Sequence, residues 1–261
     1  MKYHIRRLIT DYIKSYPKLK QTSTTWQEPL ISFADAGDGL FPKLKKIISP
    51  THALPVELLP DAQSVIAYFI PFTQDTVTSN IENTDSSREW ALAYLETNRL
   101  ISDLNTFIQE QLLKNGYHTA IIPATHNFDP KKLISDWSHR HVAFIAGLGT
   151  FGVNHMLITE KGCCGRLGTI VTNLKLSPTP KPTRENCLYK YNGSCQKCVK
   201  RCPTGSLTAT AFDRFLCYDR CLENADVHSK LGLADVCGKC LVGLPCSFVS
   251  PTRKLKSHSS R

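Results

Sequence analysis

The chain has 261 residues, 41% of them hydrophobic and 21% charged, and its 32 Lys and Arg against 22 Asp and Glu leave a formal charge of +10. This composition is typical of a globular protein and excludes general disorder. No apolar run reaches the roughly 20 residues of a membrane-spanning helix, and no apolar signal-peptide stretch follows the basic N-terminus. We therefore expect a soluble cytoplasmic protein without membrane contact.

The first half of the chain contains two well-marked helices and one strand. A helix is predicted over residues 1–16, and an irregular, proline-punctuated stretch follows it. Residues 64–72 are apolar, β-branched and aromatic, which predicts a strand buried on both faces. Apolar residues then recur at helical spacing, so we predict a helix capped by Ser86 or Ser87 and stopped at Gly116.

The next segment is predicted to alternate strands with one helical turn. Strands are expected at residues 119–124, 142–146 and 167–172, and a helical turn at residues 130–137. The alternation of β and α predicts a layered α/β sandwich. The proline-rich residues 177–183 are predicted to be a linker.

All 11 cysteines lie after residue 162. Cysteine pairs at two-residue spacing in a cytosolic chain indicate metal or redox chemistry. Few apolar runs occur beyond the linker, so a metal must supply much of the stability there. The chain is thus divided into an α/β domain at 1–176, the linker at 177–183, a cysteine-rich domain at 184–250 and a basic tail at 251–261.

The cysteine spacing is typical of two-cluster bacterial ferredoxins. Cys195-x2-Cys198-x3-Cys202-Pro203 matches the last three ligands of the run C-x2-C-x2-C-x3-C-P, whose fourth cysteine binds the other cluster. This rule predicts two [4Fe–4S] clusters, one bound by Cys187, Cys195, Cys198 and Cys246, and the other by Cys202, Cys217, Cys237 and Cys240, with Cys221 as the rival of Cys217. Structural zinc is the alternative. Cys163 and Cys164 lie outside both runs and are expected to be small buried residues.

Gly147-Leu-Gly149-Thr-Phe-Gly152 is formally the G-x-G-x-x-G of dinucleotide-binding folds. Neither a long enough helix nor an acidic residue at the required distance follows, so we do not expect a dinucleotide site. The run is interpreted as backbone that closely approaches either a flat ligand or a packed neighbour.

Titratable residues precede this run in the sequence Asp136-Trp-Ser-His139-Arg140-His141. An acid, a base and a cation side by side make Asp136, His139 and Arg140 candidate catalytic residues. The alternative is an ion pair between Arg140 and Asp136 beside histidines that only donate structural hydrogen bonds. Further candidates are His126, Asp129 and His155.

Four motifs spread over the chain are specific in combination. They are Leu-Pro-Asp-Ala-Gln-Ser-Val-Ile at 59–66, Ala-Gly-Leu-Gly-Thr-Phe-Gly-Val-Asn at 146–154 with Leu-Ile-Thr at 157–159, Leu-Gly-Thr at 167–169, and Cys198-x3-Cys202-Pro-Thr-Gly205. Through them most of the chain resembles the epoxyqueuosine reductase family and, more distantly, the corrinoid-dependent reductive dehalogenases.

The resemblance implies an α+β protein with two functional parts. A nitroreductase-like α/β sandwich would hold cobalamin, with the backbone of Gly147, Gly149, Gly152 and Asn154 against the cofactor. A ferredoxin-like domain with two [4Fe–4S] clusters would deliver electrons to the cobalt. The family's reaction is the reduction of an epoxide on a transfer-RNA nucleoside.

Three departures from the family pattern bear on the reaction. Val153 stands where the family's glycine loop has Lys, and the family's acidic residue in an Asp-x-x-Pro-x-x-Glu-Arg stretch has no clear match. The helical-repeat extension of many relatives does not follow the cysteines. We therefore expect a shorter paralogue that retains the electron-transfer machinery.

The favoured hypothesis is an iron–sulfur oxidoreductase that receives electrons from a donor such as ferredoxin or flavodoxin. It would reduce a small molecule or a modified nucleoside, with Asp136, His139 or Arg140 supplying protons or orienting the substrate. The alternative is an electron-transfer protein that reduces a partner's corrinoid or metal centre. RNA binding would draw on the positive charge, but the sequence contains no RNA-binding motif.

Overall fold

The computed structural model describes residues 1–255, so the end of the expected basic tail lies outside the described residues. The α-helices in this part of the chain are α1 (Lys2–Lys20), α2 (Phe41–Ile47), α3 (Pro55–Leu58), α4 (Gln74–Ser79), α5 (Arg88–Leu113), α6 (His139–Ile145), α7 (Leu188–Asn192), α8 (Lys197–Lys200) and α9 (Arg214–Val227). The strands are β1 (Leu30–Asp35), β2 (Ser64–Pro71), β3 (Thr119–Ile121), β4 (Phe128–Asp129), β5 (Ile134–Ser135), β6 (Gly149–Phe151), β7 (Leu157–Thr159) and β8 (Gly165–Thr172). Within residues 1–255, no helix is both long and apolar enough to cross a membrane.

The largest sheet has the strand order β1-β2-β8-β3, and every neighbouring pair is antiparallel. Strand β2 is buried at all eight positions, which confirms the strand predicted at residues 64–72. Successive side chains of a strand point to opposite faces. Ile66 and Tyr68 therefore pack with α1 and α5 on one face, and Val65 and Phe69 pack with α2 and α6 on the other. The result is a layered sandwich of mixed α+β class.

The two predicted helices are present. Helix α5 begins after Ser87, whose hydroxyl accepts a hydrogen bond from the backbone nitrogen of Trp90 at 3.1 Å. It ends before Gly116, which has a φ of +78°. The predicted cap and stop are therefore confirmed. Helix α1 continues past its predicted end to Lys20, with Pro17 inside it.

Several predictions of local structure are wrong. Residues 142–146 belong to α6 and not to a strand, because a short apolar run fits either element and here the helix covers the sheet. Residues 130–137 contain the turn and second strand of the β4–β5 hairpin instead of a helical turn. The stretch predicted as irregular contains β1, α2 and α3. Pro42 stands in the first turn of α2 and Pro55 in the first turn of α3, where the helix needs no backbone N–H. Strand β3 is shorter than the predicted 119–124.

Residues 177–183 lie along the edge of the sheet instead of crossing open solvent. The backbone nitrogen of Thr179 donates to the carbonyl of Phe33 in β1 at 2.8 Å, and the Thr179 hydroxyl accepts from the Phe33 nitrogen at 3.1 Å. This segment therefore covers an edge strand that would otherwise expose unpaired backbone groups.

The cysteine-rich part of the chain packs directly on the sandwich. A third apolar cluster contains side chains of both parts, among them Trp90 and Leu241. The ammonium group of Lys239, a residue that is only 2% exposed, donates to the carbonyls of Asn80 at 2.9 Å and Glu82 at 2.7 Å. The division into separate domains at 1–176 and 184–250 stays a prediction.

Candidate functional site

Nine cysteines line two cavities at the junction of the sandwich and the cysteine-rich segment. The smaller cavity, of about 20 Å³, is lined by Cys187, Cys195, Cys198 and Cys246. The larger cavity, of about 310 Å³, is lined by Cys202, Cys217, Cys221, Cys237 and Cys240. All of these thiols are free. The two sets of cysteines that the ferredoxin rule predicts thus lie at separate places in the structure.

The smaller cavity is formed by short helices and by the end of the cysteine-rich segment. Cys187 is the N-cap of α7, and its carbonyl accepts a hydrogen bond from the backbone of Tyr191 at 2.8 Å. Cys198 belongs to α8. The carbonyl of Cys246 accepts from the nitrogen of Cys163 at 3.0 Å, which connects this group to the loop before β8. Cys163 and Cys164 are buried, as expected.

Five cysteines surround the larger cavity, one more than a cubane cluster binds. Cys217 and Cys221 lie one turn apart on α9 and form a hydrogen bond with each other. That bond, a hydrogen bond to Ser206 and the charge of Arg140 lower the pKa of Cys217 to about 7 against the opposing effect of burial. The shared hydrogen bond and burial raise the pKa of Cys221. Metals bind the thiolate, so this difference is a reason to prefer Cys217 to Cys221, and the choice between them stays a prediction.

The arrangement of the cysteines bears on the zinc alternative. Within residues 1–255, no three or more His, Cys, Asp or Glu side chains are placed to hold a single metal ion. A zinc ion binds thiolates at about 2.3 Å, so its ligands must converge on one point. A four-iron cluster is wider and holds its ligands further apart. The choice between clusters and zinc therefore stays a prediction.

The three predicted catalytic residues do not come together. Asp136 is exposed and accepts a hydrogen bond from the hydroxyl of Thr51 at 2.6 Å. His139 is buried, and its ring donates to a backbone carbonyl and accepts from the hydroxyl of Thr169, both at 2.9 Å. Burial lowers the pKa of His139 to about 4, so the ring is neutral. Only Arg140 lines the larger cavity. The expected acid–base cluster is absent, and so is the alternative ion pair between Arg140 and Asp136.

The glycine run packs against the chain's own backbone. A Cβ on Gly147, which has a φ of +83°, would lie 2.8 Å from the carbonyl oxygen of Pro180. A Cβ on Gly149 would overlap the carbonyl of Ile158 in β7. These contacts explain both glycines through packed neighbours. Cofactor binding by Gly147, Gly149 and Gly152 stays a prediction.

Asn154 is the member of this loop that reaches the site. It lines both cavities, and its amide nitrogen donates to the carbonyl of Cys240 at 3.1 Å. Its side-chain oxygen accepts from the backbone nitrogen of Met156 at 3.3 Å. Asn154 therefore fixes the loop against the second group of cysteines and stands between the two cavities.

A hydrogen-bonded network borders the larger cavity, and among its residues the sequence singled out only His126. The hydroxyl of Tyr94 donates to Asp235 at 2.6 Å, and the other carboxylate oxygen lies 3.2 Å from Nε2 of His126. The guanidinium of Arg166 lies 4.6 Å from the centre of the Tyr94 ring. Burial raises the pKa of Tyr94 to about 12, so its hydroxyl keeps its proton at neutral pH. Because His126 is 41% exposed, the network connects solvent with the cavity wall.

The rest of the wall combines apolar side chains with unpaired donors. Phe72, Met156 and Phe212 contribute apolar surface. Among the described residues, Nε1 of Trp90 and Nε of Arg220 are buried without a hydrogen-bond partner, and both residues line this cavity. Buried donors without partners are rare in proteins. The sulfur atoms of a bound cluster would be suitable acceptors for them.

The fold and the cysteines define a mixed α+β protein whose cysteine-rich part suits iron–sulfur binding. No protein-family model matches the chain. The epoxyqueuosine reductase of Listeria monocytogenes is 36% identical over 108 residues, which cover 40% of this chain and 26% of that protein. The enzyme of Francisella cf. novicida is 26% identical over 215 residues, which cover 76% of this chain and 55% of that protein.

Solved structures agree with these relatives. An epoxyqueuosine reductase bound to an epoxyqueuosine-modified stem loop of tyrosine tRNA matches with a TM-score of 0.56 and 20% identity, over 94% of this chain and 66% of that chain. A reductive dehalogenase matches with a TM-score of 0.49 and 14% identity, over 69% of this chain and 23% of that chain. The chain is thus related to the epoxyqueuosine reductase family, as the motifs predicted. It spans about half the length, or less, of the two curated relatives described.

Proposed function

We propose that this protein is an iron–sulfur oxidoreductase that passes electrons through two [4Fe–4S] clusters to a ligand in the larger cavity. The observation that carries the proposal is the division of nine cysteines between two cavities, four around one and five around the other. A cubane cluster binds four thiolates, so each cavity has enough ligands for one cluster.

The two cavities differ in how readily they admit a cluster. The larger one has about 310 Å³ of space, an excess of thiols and unpaired donors in its wall. The smaller one has only about 20 Å³, so its four cysteines must move apart when a cluster is inserted. When bound, the clusters would supply one-electron transfer at low potential.

The chain's own residues would supply protons at the larger cavity. Tyr94 holds a proton on its hydroxyl, and Asp235 and His126 connect that hydroxyl to solvent. A ligand that has received electrons can take the proton of Tyr94, which then regains one through Asp235 from solvent. In this role Tyr94 replaces the sequence-based candidates Asp136 and His139, neither of which lines the cavity.

The described cavity does not enclose the cobalamin that the family resemblance implies. Sites for drug-sized ligands have volumes of about 300–1,000 Å³. The cavity is at the lower end of this range at about 310 Å³, and a cluster would fill part of it. A corrinoid is much larger than a drug-sized ligand. Cobalamin binding therefore stays a prediction.

Metal analysis of protein purified without oxygen tests the proposal. Iron, zinc and cobalt are counted per chain, before and after cobalamin is added, and visible and EPR spectra are recorded. We expect about eight irons per chain, as two cubane clusters require. Zinc in place of iron, or only about four irons or fewer after reconstitution, would contradict the proposal of two clusters. Stoichiometric cobalt after the addition would show that the protein binds a corrinoid.

Turnover distinguishes an enzyme from the electron-transfer alternative. A relative was solved with an epoxyqueuosine-modified tRNA stem loop, which makes that stem loop the first substrate to test. Chemically reduced protein is mixed with it, and oxidation of the clusters and loss of the epoxide are followed together. If the clusters are reoxidised only by a separate corrinoid protein, the electron-transfer function is favoured.

A further inference from the structure

Arg140 has an unusual position in the larger cavity. It lies in the first turn of α6, where the helix dipole disfavours a positive charge. Its guanidinium donates to the carbonyl of His155 at 2.8 Å and to the sulfur of Met156 at 3.5 Å. These two contacts fix the side chain in the cavity but bring no negative charge to it.

The other two arginines that line the cavity, Arg166 and Arg220, interact with side chains outside the group of cysteines. Arg220 forms salt bridges with Asp85 at 2.5 Å and with Glu223 at 2.6 Å. Arg166 donates to the side chain of Asn98 at 2.6 Å and lies over an aromatic ring. Within residues 1–255 Arg140 forms no salt bridge with a carboxylate.

The negative groups that face Arg140 are the cysteines of the same cavity. Cys217 and Cys240 line this cavity together with Arg140, and as cluster ligands their thiolates would interact favourably with its charge. A cubane with four thiolates carries a net negative charge and gains one more on reduction. A fixed cation beside it therefore stabilises the reduced form more than the oxidised form.

We propose that Arg140 raises the reduction potential of the cluster in the larger cavity above that of the cluster in the smaller cavity. Electrons that enter at the smaller cavity are then drawn toward the cavity that binds the ligand. Arg140 therefore acts through its charge on the reduction potential of the cluster and does not act as a catalytic acid. The inference rests on the proposed function, since it requires both clusters.

Potentiometric titration followed by EPR tests the inference in the full-length, cluster-loaded protein. The EPR signals are assigned with C198A, which removes a ligand of the smaller cavity, and with C240A, which removes one of the larger cavity. We expect R140Q to lower the ratio of reduced to oxidised cluster in the larger cavity at least tenfold at a given potential, a shift of about 59 mV for one electron. The cluster of the smaller cavity should keep its potential.

Two matched variants separate the charge of Arg140 from its packing. R140K keeps the positive charge, so the reduction potential of the cluster in the larger cavity should stay close to that of the unmodified protein. R99Q removes one positive charge from an exposed position on α5, outside both cavities, and should shift neither cluster. Equal shifts of both clusters, no shift in R140Q, or the same shift in R99Q would each overturn the inference.

Iron counts keep this test distinct from that of the proposed function. If the unmodified protein binds no clusters, the proposed function fails and this inference fails with it. If the unmodified protein binds both clusters but R140Q and R140M each lose iron from the larger cavity, then Arg140 holds the cluster in place. That result would overturn the tuning role and leave the proposed function intact.

Discussion

Burial decides the protonation state of the side chains near the larger cavity. It lowers the pKa of His139 to about 4 and raises that of Tyr94 to about 12, so both side chains are neutral at physiological pH. A guanidinium keeps its proton in proteins, so Arg140 remains charged even where burial opposes its charge. Burial thus keeps His139 and Tyr94 neutral, whereas Arg140 stays a cation because of its guanidinium chemistry.

The neutral His139 predicts a pH dependence of stability. Its pKa in the folded protein is about 4, whereas an unfolded histidine has a pKa of about 6.5. Between these values the unfolded chain binds more protons, so this residue's contribution to stability is lost as the pH falls from about 6.5 to about 4. The slope for one proton is about 1.4 kcal/mol per pH unit.

Urea unfolding at several pH values between 4.5 and 7, under anaerobic conditions, measures this contribution. H139Q should be less stable than the unmodified protein at pH 7, because two hydrogen bonds are changed, but should lose less stability on acidification. H118Q, at an exposed histidine, is the matched control and should keep the full dependence. An unchanged pH dependence in H139Q would show that His139 is not buried as a neutral ring.

The pair Cys217 and Cys221 gives a second prediction at the scale of single residues. Their hydrogen bond favours a thiolate on Cys217 and a thiol on Cys221. We expect C217A to lose about four irons and C221A to keep all of them, since a cubane requires four thiolates. Iron analysis of both variants, side by side, decides between them. Loss of iron from neither variant would remove both cysteines from the ligand set.

At the scale of elements, the junction depends on a tight contact between α5 and the loop that carries two cysteines. Gly238 lies between Cys237 and Cys240 and has a φ of +75°. A Cβ at this position would overlap the indole ring of Trp90 near the start of α5. The side chain of Asn80 also donates to the carbonyl of Cys237 at 2.9 Å. The loop can therefore approach α5 only because position 238 has no side chain.

Substitution of Gly238 tests the importance of this contact. In G238A, the left-handed backbone should cost about 1–2 kcal/mol, and overlap with a packed ring about 1–3 kcal/mol more. G116A is the matched control, because Gly116 has a similar φ of +78° and no atom within contact distance of an added Cβ. Unfolding free energies and iron content are measured for both. Equal destabilisation of the two variants would mean that the ring contact contributes nothing.

At the scale of the whole molecule, the two parts of the chain differ in what stabilises them. The sandwich has two large apolar clusters, one on each face of its sheet. The cysteine-rich part shares a third cluster with the sandwich but has few fully buried large side chains of its own. Metal binding to such a segment is part of its folding free energy. The proposed iron–sulfur clusters should therefore stabilise residues 187–246 far more than they stabilise the sheet.

Iron removal followed by amide hydrogen exchange measures this difference. After chelation under reducing conditions, we expect exchange to accelerate in residues 187–246 while β2 and β8 stay protected, because the sheet does not depend on metal. The holo protein, treated identically without chelator, is the control. Uniform loss of protection over the whole chain would show a single cooperative unit, and unchanged exchange would show that the cysteine-rich part is stable without metal.

Much of the fold could be predicted from local sequence. The strand at residues 64–72 and the helix after Ser87 are long, regular patterns with clear boundaries, and both are present. The strand expected at residues 142–146 is helix α6 instead. A run of five apolar residues fits the pattern of a buried helix as well as that of a buried strand. Only its packing against the sheet decides between the two.

The candidate site was predictable where chemistry depends on spacing. The cysteines separate into the two groups that the ferredoxin rule predicts, although their role as ligands stays a prediction. Tyr94 and Arg166 were missed, because in the sequence they belong to an ordinary helix and strand. Asp235 gave one weak indication, its position two residues before Cys237.

The sequence by itself determined the similarity to epoxyqueuosine reductases, the grouping of the cysteines and several of the main elements, because motifs, cysteine spacing and apolar periodicity are local properties of a chain. The tertiary structure alone decided which charged side chains share a cavity. Asp136, His139 and Arg140 are near one another in the sequence, yet burial and hydrogen bonding direct them to three different surroundings. Tyr94, Asp235 and His126 are distant in the sequence and meet at one wall because the sheet, α5 and the cysteine-rich segment pack together.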